Sequence, residues 1–150
     1  MQQLRHTLGV ARLGLVGAVL AAAALATPAQ AAAPNYILVS GPGLEQPVLL
    51  GDWNENLELL VAIGQGARAK RPVLRGLARR PRYDLAEFWN WNFLPAPTDR
   101  RQASQHGWFY PAHGRKPALF KMMVDGTKFP RRASRAALAI LARHGIPTHR

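Results

Sequence analysis

The sequence predicts an α+β fold, an antiparallel β-meander of about four to five strands packed against two helices in a single domain. Three observations predict it. Residues 83–93, YDLAEFWNWNF, place Tyr83, Leu85, Trp89, Trp91 and Phe93 on odd positions and Asp84, Asn90 and Asn92 on even ones, the period of two that a strand presents to its two faces. Several shorter β-prone runs are separated by Gly-Pro and Asp-Gly breaks, as in hairpins. Residues 52–64 and 134–144 carry cap residues at their ends and apolar residues at helical spacing.

The N-terminal 31 residues stand apart from the fold. Arg5 and Arg12 form a positive region, residues 13–26 are an uncharged run of 14, and Ala29-Gln30-Ala31 supplies an A-x-A site. This pattern reads as a signal peptide cleaved after Ala31, which leaves residues 32–150 as the domain. A helix of 14 residues spans about 21 Å, short of a roughly 30 Å hydrocarbon core, so a secreted or extracellular product is expected rather than an anchored one. The chain has no cysteine. Disulfides, thiolate metal sites and cysteine nucleophiles are therefore excluded.

The whole chain has 20 Lys and Arg against 8 Asp and Glu, a formal charge of +12, which falls to +10 when Arg5 and Arg12 are removed. The charge is segregated. Residues 32–66 contain four acids and no base, 67–82 contain seven bases and no acid, and 100–150 contain eleven bases and one acid. Such a distribution points to an anionic partner: an anionic membrane surface, wall polymer, polysaccharide or released nucleic acid. An arginine-rich, alanine-rich composition without functional meaning would read the same way. No nucleic-acid-binding motif occurs in the chain.

In chain order, residues 35–40 (NYILVS) and 46–50 (QPVLL) flank Gly41-Pro42-Gly43 and predict a hairpin. Pro47 has no amide hydrogen, so the second strand should lie at an edge or begin at the proline. The Gly-Pro-Gly turn lacks the spacing of a phosphate loop. Residues 52–64 predict the first helix, with Asp52 as cap, Glu55 three residues later, and Trp53, Leu57, Leu60, Val61 and Gly64 on the face that packs on the sheet. Residues 67–82, broken by Pro72, Gly76 and Pro81, predict a loop with one short helical turn.

For residues 83–93 a helix competes, because Leu85, Phe88, Trp89 and Asn92 would share a helical face. Aromatic enrichment and the prolines at 95 and 97 favour the strand. A polar connection follows. Residues 107–112 (GWFYPA) and 118–124 (ALFKMMV) predict a second hairpin around His113-Gly114-Arg115-Lys116, and Asp125-Gly126 predicts a turn into a last short strand over 127–130. Residues 134–144 predict the closing helix, with Ser134 as N-cap, Gly145 in the left-handed position after the helix, and Ile146 touching Leu141. Leu57, Leu60, Trp89, Leu138 and Leu141 are expected to share one core.

Candidate sites are few. Arg75, Arg79, Arg80 and Arg82 form a candidate anion-binding group, since exposed guanidinium groups take carboxylate or phosphate oxygens in pairs. Asp52, Glu55 and His113 form a candidate polar site, although helix caps and solvated helix faces use such acids far more often. His106, His113, His144 and His149 show no H-x-x-x-H or H-x-H spacing, and neither Ser40 nor Ser104 sits in a nucleophile elbow. No metal, cofactor or catalytic residue is expected from motifs.

The runs YILVSGPGLEQPVLLGDWNENL, RPRYDLAEFW, QHGWFYPA and ALAILARHGIP resemble a set of small exported bacterial proteins of no assigned activity. The resemblance covers most of residues 32–150 and implies export, a single β-rich domain, and a strand at the segment like 83–89. It supplies no catalytic residue. Two function classes follow: a non-catalytic envelope or extracellular module that binds an anionic ligand, and a small exported hydrolase or hydrolase inhibitor acting at the cell wall. Convergence of Asp52, Glu55 and His113 in one pocket would favour the enzyme. A continuous arginine face beside exposed tryptophan would favour binding.

Overall fold

The structure, a computed structural model, describes residues 33–89, 95–122 and 128–150. The expected signal segment 1–31, Trp91 and Phe93 of the aromatic run, and the turn expected at Asp125-Gly126 lie outside the described residues. Six strands, β1 (Tyr36–Ser40), β2 (Val48–Leu50), β3 (Tyr83–Phe88), β4 (Gln105–Tyr110), β5 (Leu119–Lys121) and β6 (Arg131–Arg132), form one sheet in the order β2-β1-β3-β4-β5-β6. Every neighbouring pair is antiparallel. The helices are α1 (Trp53–Gly64), the one-turn α2 (Arg71–Leu74) and α3 (Arg135–Arg143). The fold is α+β as expected, with six strands where four to five were predicted.

The meander runs only from β3 to β6. β1 pairs antiparallel with both β2 and β3, so those two strands point the same way, and α1 carries the chain across β1 to join them. The first hairpin forms as expected from β1 and β2, and β2, α1 and β3 make a split β-α-β unit around β1. β2 is the edge strand, where Pro47 immediately before it costs no ladder hydrogen bond. The last strand expected over 127–130 lies in part outside the described residues; residues 128–130 are not in a strand, and the pairing is made by Leu119 with Arg132 and Phe120 with Arg131.

One face of the sheet carries the main core. Ile37, Val39, Tyr83, Leu85, Phe109 and Phe120 alternate toward α1 and α3, where they meet Leu59, Leu60, Ile63, Ile140 and Leu141. Leu57, Trp89 and Leu138 pack against the same cluster from its margin. α1 is rotated from the expected face: Trp53 and Val61 are exposed, while Asn56, Leu59 and Ile63 are buried. The cause is Asn56, whose side-chain amide donates to the carbonyls of Pro34, Asn35 and Leu50 at 3.2 to 3.3 Å and so ties the helix to the ends of β1 and β2. A polar residue at a core position hides the stripe from an apolar pattern.

Helix ends follow their caps. Asp52 accepts from the Glu55 amide at 2.9 Å and Ser134 from the Ala137 amide at 3.2 Å. After α3, the Gly145 amide donates to Ala142 and the Ile146 amide to Leu141, with Gly145 at φ 72 and Ile146 buried, the pair of bonds that defines a Schellman ending. Glu55 of α1 receives Arg143 at 2.7 Å and His144 at 2.5 Å from the end of α3, which joins the two helices outside the core.

Candidate functional site

Among the described residues the second face of the sheet is covered at one end only. There Leu38, Ala86 and Phe88 are buried beneath Ala103 from the β3–β4 connection, flanked by Tyr36 and Leu49. Phe88 thus points away from the main core, and Glu87 points into it, which is why these two residues break the alternation expected of the aromatic run.

Toward the other end the register lines up one polar row across four strands: Ser40 beside Asp84, Asp84 beside Trp108, and Trp108 beside Lys121. Residues opposed across antiparallel strands project from the same face, so these side chains share a surface. Ser40, Asp84 and Trp108 border a cleft of about 650 Å³ whose lining also includes Arg82, Thr98 and Arg100. The Gly-Pro-Gly turn forms part of the wall through Gly41, where a side chain would collide with the ring and backbone of Tyr83. Tyr83 donates to the Pro42 carbonyl at 3.1 Å, and the Arg150 guanidinium reaches the same carbonyl, which fixes the turn from both sides.

Two electrostatic groups meet in this cleft. Asp84 accepts from His106 Nδ1 at 3.3 Å and lies 3.6 Å from Arg100. The second group surrounds Trp108: Lys128 Nζ stands 4.5 Å from the ring centroid, Lys121 Nζ 5.4 Å and the Arg82 guanidinium carbon 5.5 Å. Among the described residues none of these three cations has a carboxylate within ion-pair distance. Asp99, also on the cleft, is gripped by Arg101 at 2.7 to 3.0 Å, and those hydrogen bonds hold its carboxyl at about 2.

The four arginines of the expected anion group have different fates. Arg82 lines the cleft, and Arg75 and Arg79 are exposed on the preceding loop. Arg80 is buried at 7% exposure and donates through Nη2 to the carbonyls of Pro111 at 2.5 Å and Pro117 at 2.9 Å. It holds the β4–β5 hairpin, and its guanidinium is not presented to a ligand. Asp52, Glu55 and His113 are not brought together. α1 begins beside the Tyr36 end of β1, whereas His113 follows β4 at the Ser40 end and sits exposed in a turn closed by two hydrogen bonds with Lys116. Burial raises the Glu55 carboxyl, but hydrogen bonds from Arg143 and His144 outweigh it, so this group stays a bound carboxylate between two helices.

Asp84, Trp108 and Lys121 were legible as positions without being legible as a site. Period-two alternation in QHGWFY and ALFK puts Gly107, Phe109 and Phe120 on one face and Trp108 and Lys121 on the other. Their meeting depends on strand order, which no local pattern encodes. Among the described residues no group of three or more histidine or carboxylate side chains is placed to hold a metal. Comparison with protein-family models, curated proteins and solved structures gives no match, so the functional reading rests on the residues of this chain.

Proposed function

We propose that this protein is an exported, non-catalytic module that binds an anionic ligand on the open end of its sheet. The observation that carries the reading is the gathering of Arg82, Lys121 and Lys128 around Trp108 without a carboxylate counterpart among the described residues. Three like charges on one ring repel one another, and the attraction of each for the indole face is only about 0.5–2 kcal/mol. An anion bound among them removes that repulsion. The segregated positive charge of the chain extends the attraction beyond the cleft.

Two charge-matched double variants test it by elution from an immobilised polyanion in a salt gradient. Arg82→Ala with Lys128→Ala should elute at clearly lower salt than the parent, and Arg75→Ala with Arg79→Ala should shift much less. Parent affinity should fall roughly 10- to 100-fold between ~0.05 and ~0.2 M salt if three or so charges are neutralised. Equal shifts for the two variants would reduce the interaction to general basicity, and no shift in either would remove the binding reading.

A small hydrolase is the second reading, favoured by the Asp84–His106 pair. A carboxylate on Nδ1 is how a general-base histidine is oriented, with Nε2 left to take a proton. Turnover of an ester or glycosidic substrate that disappears in His106→Ala would establish it over the binding module.

A further inference from the structure

We propose that the anion bound in this cleft is an acidic saccharide, a pyranose chain bearing carboxylates, and not a polyphosphate. The inference rests on the binding reading above and concerns what the rest of the cleft adds to its cations. A polyphosphate offers acceptor oxygens and negative charge almost everywhere along its length, so its site needs only cations and other donors. This cleft also holds two carboxylates, Asp84 and Asp99. Asp99 is taken up by Arg101, but Asp84 repels a phosphate chain and can accept from a sugar hydroxyl, a charge-assisted bond stronger than a neutral one.

Asp84 has capacity for that role. A carboxylate offers about four lone-pair sites. Among the described residues the side-chain contacts to Asp84 are the long ones from His106 at 3.3 Å and Arg100 at 3.6 Å, which orient it without saturating it. The hydroxyls of Ser40 and Thr98 on the same lining donate or accept as a sugar requires. Leu38, Pro47 and Trp108 give the cleft apolar wall for the C–H faces of a pyranose ring. Arg82 borders the cleft and also stands over Trp108, so a cation that takes the sugar carboxylate and the acid that takes its hydroxyls share one space. The volume of about 650 Å³ lies within the range of ordinary ligand sites.

The test is equilibrium titration of the purified protein with three probes: a glucuronate oligosaccharide, its carboxyl-reduced neutral counterpart, and a polyphosphate of the same charge. The parent should bind the glucuronate at least tenfold more tightly than either of the others. Asp84→Asn should weaken glucuronate binding by about tenfold, the loss expected of a hydrogen bond to a charged group, and should leave polyphosphate binding equal or tighter because a repelling charge is gone. Thr98→Val provides a second variant at an exposed position outside any helix or strand, with an expected loss of about threefold. Polyphosphate binding as tight as glucuronate, or glucuronate affinity unchanged in both variants, overturns the saccharide assignment and leaves anion binding standing. Glucuronate affinity that does not change in Arg82→Ala with Lys128→Ala, or a neutral counterpart that binds as tightly, overturns the anion reading itself.

Discussion

Arg80 shows how one side chain of a basic segment can belong to the fold while its neighbours belong to the surface. It lies in a run of seven bases, yet its guanidinium is buried and spans the carbonyls of Pro111 and Pro117 with Tyr110 at 6.0 Å. Burial lowers its affinity for a proton. That direction is inconsequential for charge, because an arginine shifted from so high a value remains protonated. Removing the side chain leaves two buried carbonyls without a donor and a void beside the hairpin, so Arg80→Ala should cost about 2–4 kcal/mol in chemical denaturation. Arg80→Lys should recover only part of the loss, since an ammonium lacks the planar fork that reaches both carbonyls. Retention of either folded variant on a polyanion should match the parent. A variant that keeps parental stability but loses retention would return Arg80 to the binding surface. Nothing in the local sequence distinguishes Arg80 from Arg79, because the distinction is made by two prolines more than thirty residues away.

At the scale of elements, β3 holds the most consequential polar group in the interior. Glu87 is fully buried on the helix-covered face, and Trp89 Nε1 donates to its Oε2 at 3.1 Å. Burial pushes its carboxyl up to about 7, against smaller lowering effects from Trp89, Lys128 and His106. The sign follows from linkage. The folded state holds the proton more tightly than the unfolded state, so stability from this group is complete below about 4.5 and declines as pH rises toward 7. The loss is about 3 kcal/mol at 1.36 kcal/mol per unit. The lowered groups Glu55 and Asp99 act in the opposite sense and at lower pH, so they leave this window to Glu87. Unfolding free energy should therefore drop between pH 5 and pH 8 in the parent and much less in Glu87→Gln. Parallel pH profiles for the two proteins would show that the buried carboxyl is ionised throughout.

α3 gives the complementary test of packing. Leu141 is fully buried and Leu138 only partly so, and Leu141→Ala should cost about 2–5 kcal/mol with Leu138→Ala distinctly less. Shifts below about 0.5 kcal/mol for both in chemical denaturation would mean that the helix is not docked. The ends of this helix could be read from Ser134, Gly145 and Ile146 because caps are local chemistry. The buried face of α1 could not, because Asn56 occupies it for the sake of carbonyls from another part of the chain. The same limit applies to the candidate site: alternation assigns Asp84 and Trp108 to a face, but only the β2-β1-β3-β4 order puts Ser40, Asp84 and Trp108 in one row.

For the molecule as a whole, the start of the fold bears on how the chain is processed. Ala33 is 7% exposed and joins the main core, Asn35 donates its amide to Phe88, and the Pro34 and Asn35 carbonyls accept from Asn56. Cleavage after Ala31 keeps all of these contacts and leaves Ala32 as the first residue. Cleavage after Ala33 would place Pro34 next to the scissile bond and remove a core residue. We expect the exported product to begin at Ala32, and intact-mass measurement on secreted material checks it; a mass that includes residues 1–31, or one that begins beyond Ala33, counts against it. The physical reason can be tested without secretion. A protein beginning at Tyr36 lacks two of the three carbonyls that hold Asn56 and the core contact of Ala33, and it should be less stable than one beginning at Ala32 by about 2–4 kcal/mol. Equal denaturation midpoints for the two would show that residues 33–35 add nothing to the fold and that the position of cleavage is set by the recognition site alone.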